Sequence, residues 1–198
     1  DVCSSDLDAH PEHWRHVASD LAGRIEQRNK YVNRANIRPR LFIVSSKEAL
    51  DEAEEIRLGL SHEGWVVELW SDDQIFPPGS YPLDALEEQV SKADFCIAIA
   101  SGDDLVRARE REQVAPRDNV IFELGFFMSR IGRARTMLLV PKGKSVKIPS
   151  DFKGVTPIPY DDNTSDQDLS TAMGPTITSI KKAVRNQGVR SSMQPVPC

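Results

Sequence analysis

Asp94-Phe-Cys-Ile-Ala-Ile-Ala100 is the stretch that decides the fold. After the aspartate it is apolar at every position, with no alternation. A strand packed on one face alternates apolar and polar residues. A run apolar on both faces belongs inside a parallel sheet covered by helices on each side. Outward from this run, strand and helix take turns. Upstream, Leu41–Val44 predicts a first strand. Lys47–Ser61 predicts a helix with Ala49, Ala53, Ile56 and Leu60 inward, and Trp65–Trp70 a second strand beyond Gly64. The turn-rich segment 71–80 and a helix over Tyr81–Lys92 follow. Downstream, Ser101–Arg117 reads as a charged loop, then comes a helix within 117–132, then a fourth strand at Thr136–Val140. A fifth strand at 155–160 carries Pro157 and Pro159, which places it at an edge because proline cannot donate to the ladder. The last helix is expected over Ser165–Arg185, kinked or divided at Gly174-Pro175. The class is α/β: a doubly wound, flavodoxin-like sheet of about five parallel strands.

Composition sets the outer limits. The 198 residues suffice for one good-sized domain and an appendage. Residues 1–37 read as an N-terminal helix, striped by Trp14, Val17, Leu21 and Ile25, and a linker. Residues 38–187 form the main domain and 188–198 a flexible tail. Net charge is −5, from 25 basic and 30 acidic residues, which disfavours a nucleic-acid partner. No apolar run reaches membrane-spanning length and no signal peptide is evident. The three cysteines, Cys3, Cys96 and Cys198, form no CxxC and no cluster with histidine, so no metal site or disulfide frame is expected. A cytoplasmic setting fits this cysteine usage.

In a doubly wound sheet, functional groups gather beyond the carboxyl ends of the strands. Ser45 and Ser46, Trp70 to Asp73, and Ser101 to Asp104 occupy those places. The helix within 117–132 carries an apolar stripe of Val120, Ile121, Leu124, Phe127, Met128 and Ile131. Asn119, Glu123, Phe126 and Arg130 share another face, and Asp118 or Asn119 is placed to cap the start. Helix geometry leaves two readings of Glu123: a solvated carboxylate paired with Arg130, or a charge aimed into a cleft. Ser45 and Ser46 either touch a ligand or cap the helix that follows. Trp70 either stacks on a nucleotide or packs at a contact between protomers. Asp103 is as readily loop solvation, and Asn119 a cap.

Several chemistries are excluded. There is no GxGxxG, P-loop or GxSxG motif. His10, His13, His16 and His62 lie off the rim. A phospho-acceptor receiver domain needs acidic residues where Ser45-Ser46 stand. One carboxylate among hydroxyls, amides and aromatics suits cleavage of an N-glycosidic bond. Nicotinamide leaves NAD⁺ from a cationic pyridinium and needs no general acid, so a second carboxylate is not required.

Four runs occur in order: Arg40-Leu-Phe-Ile-Val-Ser-Ser46, Asp94–Ala100, Asp118-Asn-Val-Ile-Phe-Glu-Leu-Gly125 and Ile148-Pro-Ser-Asp-Phe-Lys-Gly-Val-Thr-Pro-Ile-Pro-Tyr-Asp161. Together they resemble the bacterial TIR-like domain found in effectors of CBASS and Pycsar anti-phage systems, over roughly residues 38–186. The resemblance implies a TIR fold and cleavage of NAD⁺ to nicotinamide and an ADP-ribose product, linear or cyclic, with Glu123 as the catalytic residue. NAD⁺ is then the substrate and no cofactor is expected. Ser45, Ser46, Trp70, Ser101, Asp103 and Asn119 are the candidate substrate contacts. Segment 71–80, with Asp72, Gln74, Phe76 and Pro77, matches the loop through which TIR protomers assemble. The run from Trp14 to Lys30 is similar to the connector that follows a cyclic-nucleotide-binding domain in Pycsar effectors, so a cyclic nucleotide sensed outside this chain is the implied activator. A TIR scaffold that assembles without cleaving, and a nucleoside deoxyribosyltransferase-like enzyme, are the alternatives.

Overall fold

The computed structural model describes residues 38–75, 82–108, 111–152, 154–155, 157–162 and 168–190. The expected N-terminal helix, Phe76 and Pro77 of the assembly segment, and residues 191–198 lie outside them. In chain order the elements are β1 (Arg40–Val44), α1 (Leu50–Leu60), β2 (Val66–Leu69), α2 (Pro82–Lys92), β3 (Phe95–Ile99), β4 (Asp104–Ala108) and β5 (Arg111–Ala115). They continue with α3 (Asp118–Ile131), β6 (Thr136–Pro141), β7 (Ile158–Tyr160) and α4 (Leu169–Gln187).

All five residues of β3 are buried, and the strand is central in the parallel order β2-β1-β3-β6-β7. Its side chains divide between two cores. Phe95, Ile97 and Ile99 join Leu41, Ile43 and Leu139 beneath Ala53, Ile56 and Leu60 of α1 and Met173, Ile177, Ile180 and Val184 of α4. Cys96 and Ala98 join Phe42, Val44 and Leu138 beneath Leu86 and Val90 of α2 and Val120, Leu124, Phe127 and Ile131 of α3. The second core is tied by stacked Phe42 and Phe127, with ring centroids 5.2 Å apart. Burying two apolar faces is what an unalternating strand requires.

β7 is the edge strand expected of its prolines, though shorter, at Ile158–Tyr160. Two expectations change. The segment read as a charged loop contains a separate antiparallel pair, with β4 matched to β5 from Asp104↔Ala115 to Ala108↔Arg111. Helix α4 is not divided at Gly174-Pro175; it runs unbroken for 19 residues. Pro175 lies on the exposed face, so the carbonyl it leaves unpaired is open to water.

The order β2-β1-β3 turns back on itself, since the chain leaves β1 outward to β2 and then crosses to β3. Loops after β1 and β3 therefore diverge and leave a crevice at the carboxyl edge.

Candidate active site

A pocket of about 550 Å³ lies at that crevice. The turn after β1 supplies Ser45, Ser46, Lys47 and Glu48, and the end of β2 supplies Trp70. Asp104 comes from the start of β4. Arg117, Asp118, Asn119, Val120 and Glu123 come from the start of α3. Its size is that of a small-molecule site.

Glu123 is fixed by its helix. Val120, Leu124, Phe127 and Ile131 are buried against the sheet, which sets the rotation of α3 and turns Glu123 toward the pocket. Its carboxylate has no hydrogen-bond or ion-pair partner among the described residues, and burial raises its pKa to about 7. Arg130 is exposed and takes no part in an ion pair with it, so the solvated-pair reading does not hold. The same buried charge helps hold the Cys96 thiol protonated, after the larger effect of that cysteine's own burial.

Ser45 and Ser46 are buried, 5% exposed each, and neither caps a helix. The N-cap of α1 is Ala49, without a side-chain bond. Instead the Trp70 indole N–H donates to Ser45 Oγ at 2.8 Å, holding the ring and the hydroxyl as one wall of the pocket. Ser46 Oγ lies 3.2 Å from Ser101 Oγ, and Ser101 donates to Asp103 at 2.6 Å. Ser101 and Asp103 thus stand behind Ser46, outside the pocket lining. Asn119 lines the pocket and is exposed. Neither it nor Asp118 caps α3, whose N-cap is Arg117 with no side-chain bond. Asp72 is outside the pocket lining; it accepts from the Leu69 amide and pairs with Arg57 at 2.9 Å. Gln74 is exposed. Among the described residues, no cluster of His, Cys, Asp and Glu could hold a metal.

The arrangement offers a half-buried carboxylate facing an aromatic wall and fixed hydroxyls, in a cleft open to solvent at one end. A family model described as the TIR domain of CAP12/Pycsar effector proteins matches residues 40–162. The chain belongs to the CAP12/Pycsar effector TIR family. This TIR domain is 40% identical over 182 residues to the Pycsar effector protein BcPycTIR of Burkholderia cepacia, covering 92% of the chain and 59% of that protein. It is 42% identical over 181 residues to the Pycsar effector protein PaPycTIR of Pseudomonas aeruginosa, covering 91% of the chain and 58% of that protein. With the CD-NTase-associated protein 12 of Flavobacterium daejeonense it shares 38% over 148 residues, 75% of the chain and 46% of that protein. The TIR chain therefore spans less than two thirds of the length of these relatives.

Sequence reasoning gave no role to Glu48 and Arg117, which meet across the pocket mouth. The Arg117 guanidinium donates to Glu48 at 2.5 Å and lies 3.5 Å from Asp104. The first pair joins positions 69 apart, so no local pattern announces it. The one available signal was an arginine directly preceding the helix that carries Glu123.

Proposed function

We propose that this TIR domain is an NAD⁺ glycohydrolase that cleaves the nicotinamide–ribose bond, giving nicotinamide and ADP-ribose or its cyclic form. The observation that carries the reading is the unpartnered, half-buried Glu123 carboxylate facing Trp70 and the Ser45 and Ser46 hydroxyls in one pocket. As the C1′–N1 bond breaks, its electron pair returns to the pyridinium nitrogen and nicotinamide leaves neutral. Positive charge develops on the ribose C1′ and ring oxygen. Ionised Glu123 stabilises that charge where little water competes. Water then attacks C1′ and releases a proton, or a nucleotide hydroxyl attacks and closes a ring. The cationic ring of the substrate also favours the ionised carboxylate, against its burial.

The effector setting of the relatives supports a role in anti-phage defence through NAD⁺ loss. Assembly through TIR contacts and activation by a cyclic nucleotide, sensed outside these residues, belong to the same reading. The test follows nicotinamide release chromatographically from NAD⁺, with a deoxynucleoside mixture in parallel, under conditions that assemble the full chain. Glu123→Gln is expected to lower turnover by about 100-fold or more while the protein stays folded. Base exchange on deoxynucleosides, or unchanged NAD⁺ cleavage by the variant, would replace this reading.

A further inference from the structure

Six charged side chains line the pocket: the carboxylates of Glu48, Asp104, Asp118 and Glu123 against the cations Lys47 and Arg117. A dinucleotide carrying a diphosphate meets repulsion along most of this lining, so its phosphates are left to the two cations, Lys47 and Arg117. We propose that Arg117 is the residue that binds the substrate's diphosphate, and that it sets the substrate's direction by exchanging Glu48 and Asp104 for phosphate oxygens. The inference rests on the NAD⁺ reading and adds to it a positioning residue and a fixed polarity.

Three observations carry it. Arg117 immediately precedes α3 and Glu123 lies six positions later, so the two are about 9 Å apart along one rigid axis. A ribose bridges such a gap between a phosphate at the mouth and a glycosidic bond beside the carboxylate. Next, the guanidinium already faces two separate carboxylates, Glu48 at 2.5 Å and Asp104 at 3.5 Å. That fork suits paired anionic oxygens, which a lysine ammonium meets only as a point charge. Finally, all three partners are exposed by about two fifths to one half, at 47%, 48% and 39%. Ion pairs in that position hold little energy and exchange readily. The first amides of α3, lacking a side-chain cap, face the same end of the helix and add to the attraction for phosphate.

Nicotinamide therefore points inward, toward Glu123 and Trp70, and the adenosine half extends past Arg117 to solvent. The test measures equilibrium binding by calorimetry on the full chain, with ADP-ribose and nicotinamide riboside as probes. The first carries the diphosphate and the second carries none. Arg117→Ala is expected to weaken ADP-ribose about tenfold, the size of a lost charge-assisted contact, and to leave nicotinamide riboside within about twofold. Arg117→Lys is expected to fall between. The Glu48→Gln, Asp104→Asn double variant, which frees the guanidinium, is expected to bind ADP-ribose more tightly than the parent. Equal weakening of both probes by Arg117→Ala, unchanged ADP-ribose binding, or a parent chain that binds no ADP-ribose would each overturn the proposal. No arm needs turnover, so failure here is distinct from failure of Glu123→Gln to stop NAD⁺ cleavage.

Discussion

At the scale of single residues, burial of Glu123 costs the folded state stability at neutral pH. Its carboxyl pKa of about 7, against 4.5 in an unstructured chain, means that the native protein holds this proton more tightly than the unfolded one. Below about pH 4.5 both states are protonated and no penalty exists. As pH rises toward 7 the unfolded chain ionises freely while the folded one resists, so stability falls and then levels out above pH 7. At about 1.4 kcal/mol for each factor of ten, the loss has a ceiling of about 3 kcal/mol, and water at the pocket side keeps it below that. Glu123→Gln removes the slope. Thermal melts from pH 5 to 8 are expected to show the variant more stable than the parent above pH 7, by about 1–3 kcal/mol. Curves that stay parallel across the range would show that Glu123 is not desolvated. Serines 45 and 46 and Trp70 were legible as rim residues because they follow directly on strands at the carboxyl edge. Arg117 was not, because its partner Glu48 lies in the turn after β1, 69 positions away.

At the scale of elements, close approach sets the sensitive points. Gly59 of α1 faces α4 so tightly that an added Cβ would lie 2.5 Å from Ile177 Cδ1 and 3.1 Å from its Cγ2. Alanine is the better helix former, yet Ile177 is buried and cannot swing clear without disturbing the core. Gly59→Ala is expected to lower stability by about 1–2 kcal/mol. Adding Ile177→Val, which removes the nearest atom, is expected to recover part of that loss. A double-mutant cycle in denaturant reads the coupling, and strict additivity would refute the contact. The same scale explains what sequence concealed. β3 was legible because burial on both sides leaves an unbroken apolar run. The β4–β5 pair was not: the run from Asp104 to Ala115 holds six charged residues, with no alternation and no glycine or asparagine to mark a turn. Its strands pair with each other rather than with the main sheet, so no core wrote a period into them. Pro175 misled for the opposite reason. Its penalty falls on the exposed side of α4, while buried Thr176 donates to the Pro159 carbonyl at 3.0 Å and Ile177 and Ile180 hold the helix to the sheet.

At the scale of the molecule, polar groups gather at both edges of the sheet and the apolar cores cover its two faces. The carboxyl edge of the sheet carries the pocket. At the amino edge a single buried carboxylate, Asp94, gathers the chain. Its Oδ2 accepts the Arg40 amide at 2.9 Å, at the first residue of β1, and its Oδ1 accepts the Arg190 amide at 2.6 Å, just past α4. Arg190 also donates to the Val90 and Ser91 carbonyls, and Arg135 to the Gly188 carbonyl.

Two amides from opposite ends of the described domain thus share one side chain, and residues 38–190 form a ring left open at a single carboxylate. Such a ring can be cut elsewhere. Joining residue 190 to residue 38 by a short glycine–serine linker, and reopening the chain at the exposed, left-handed Gly64 (φ 71°), is expected to give a permuted protein that folds and binds ADP-ribose as the parent does. Loss of folding in that permutant, measured by circular dichroism and melting, would mean that the order of synthesis matters beyond the contacts themselves.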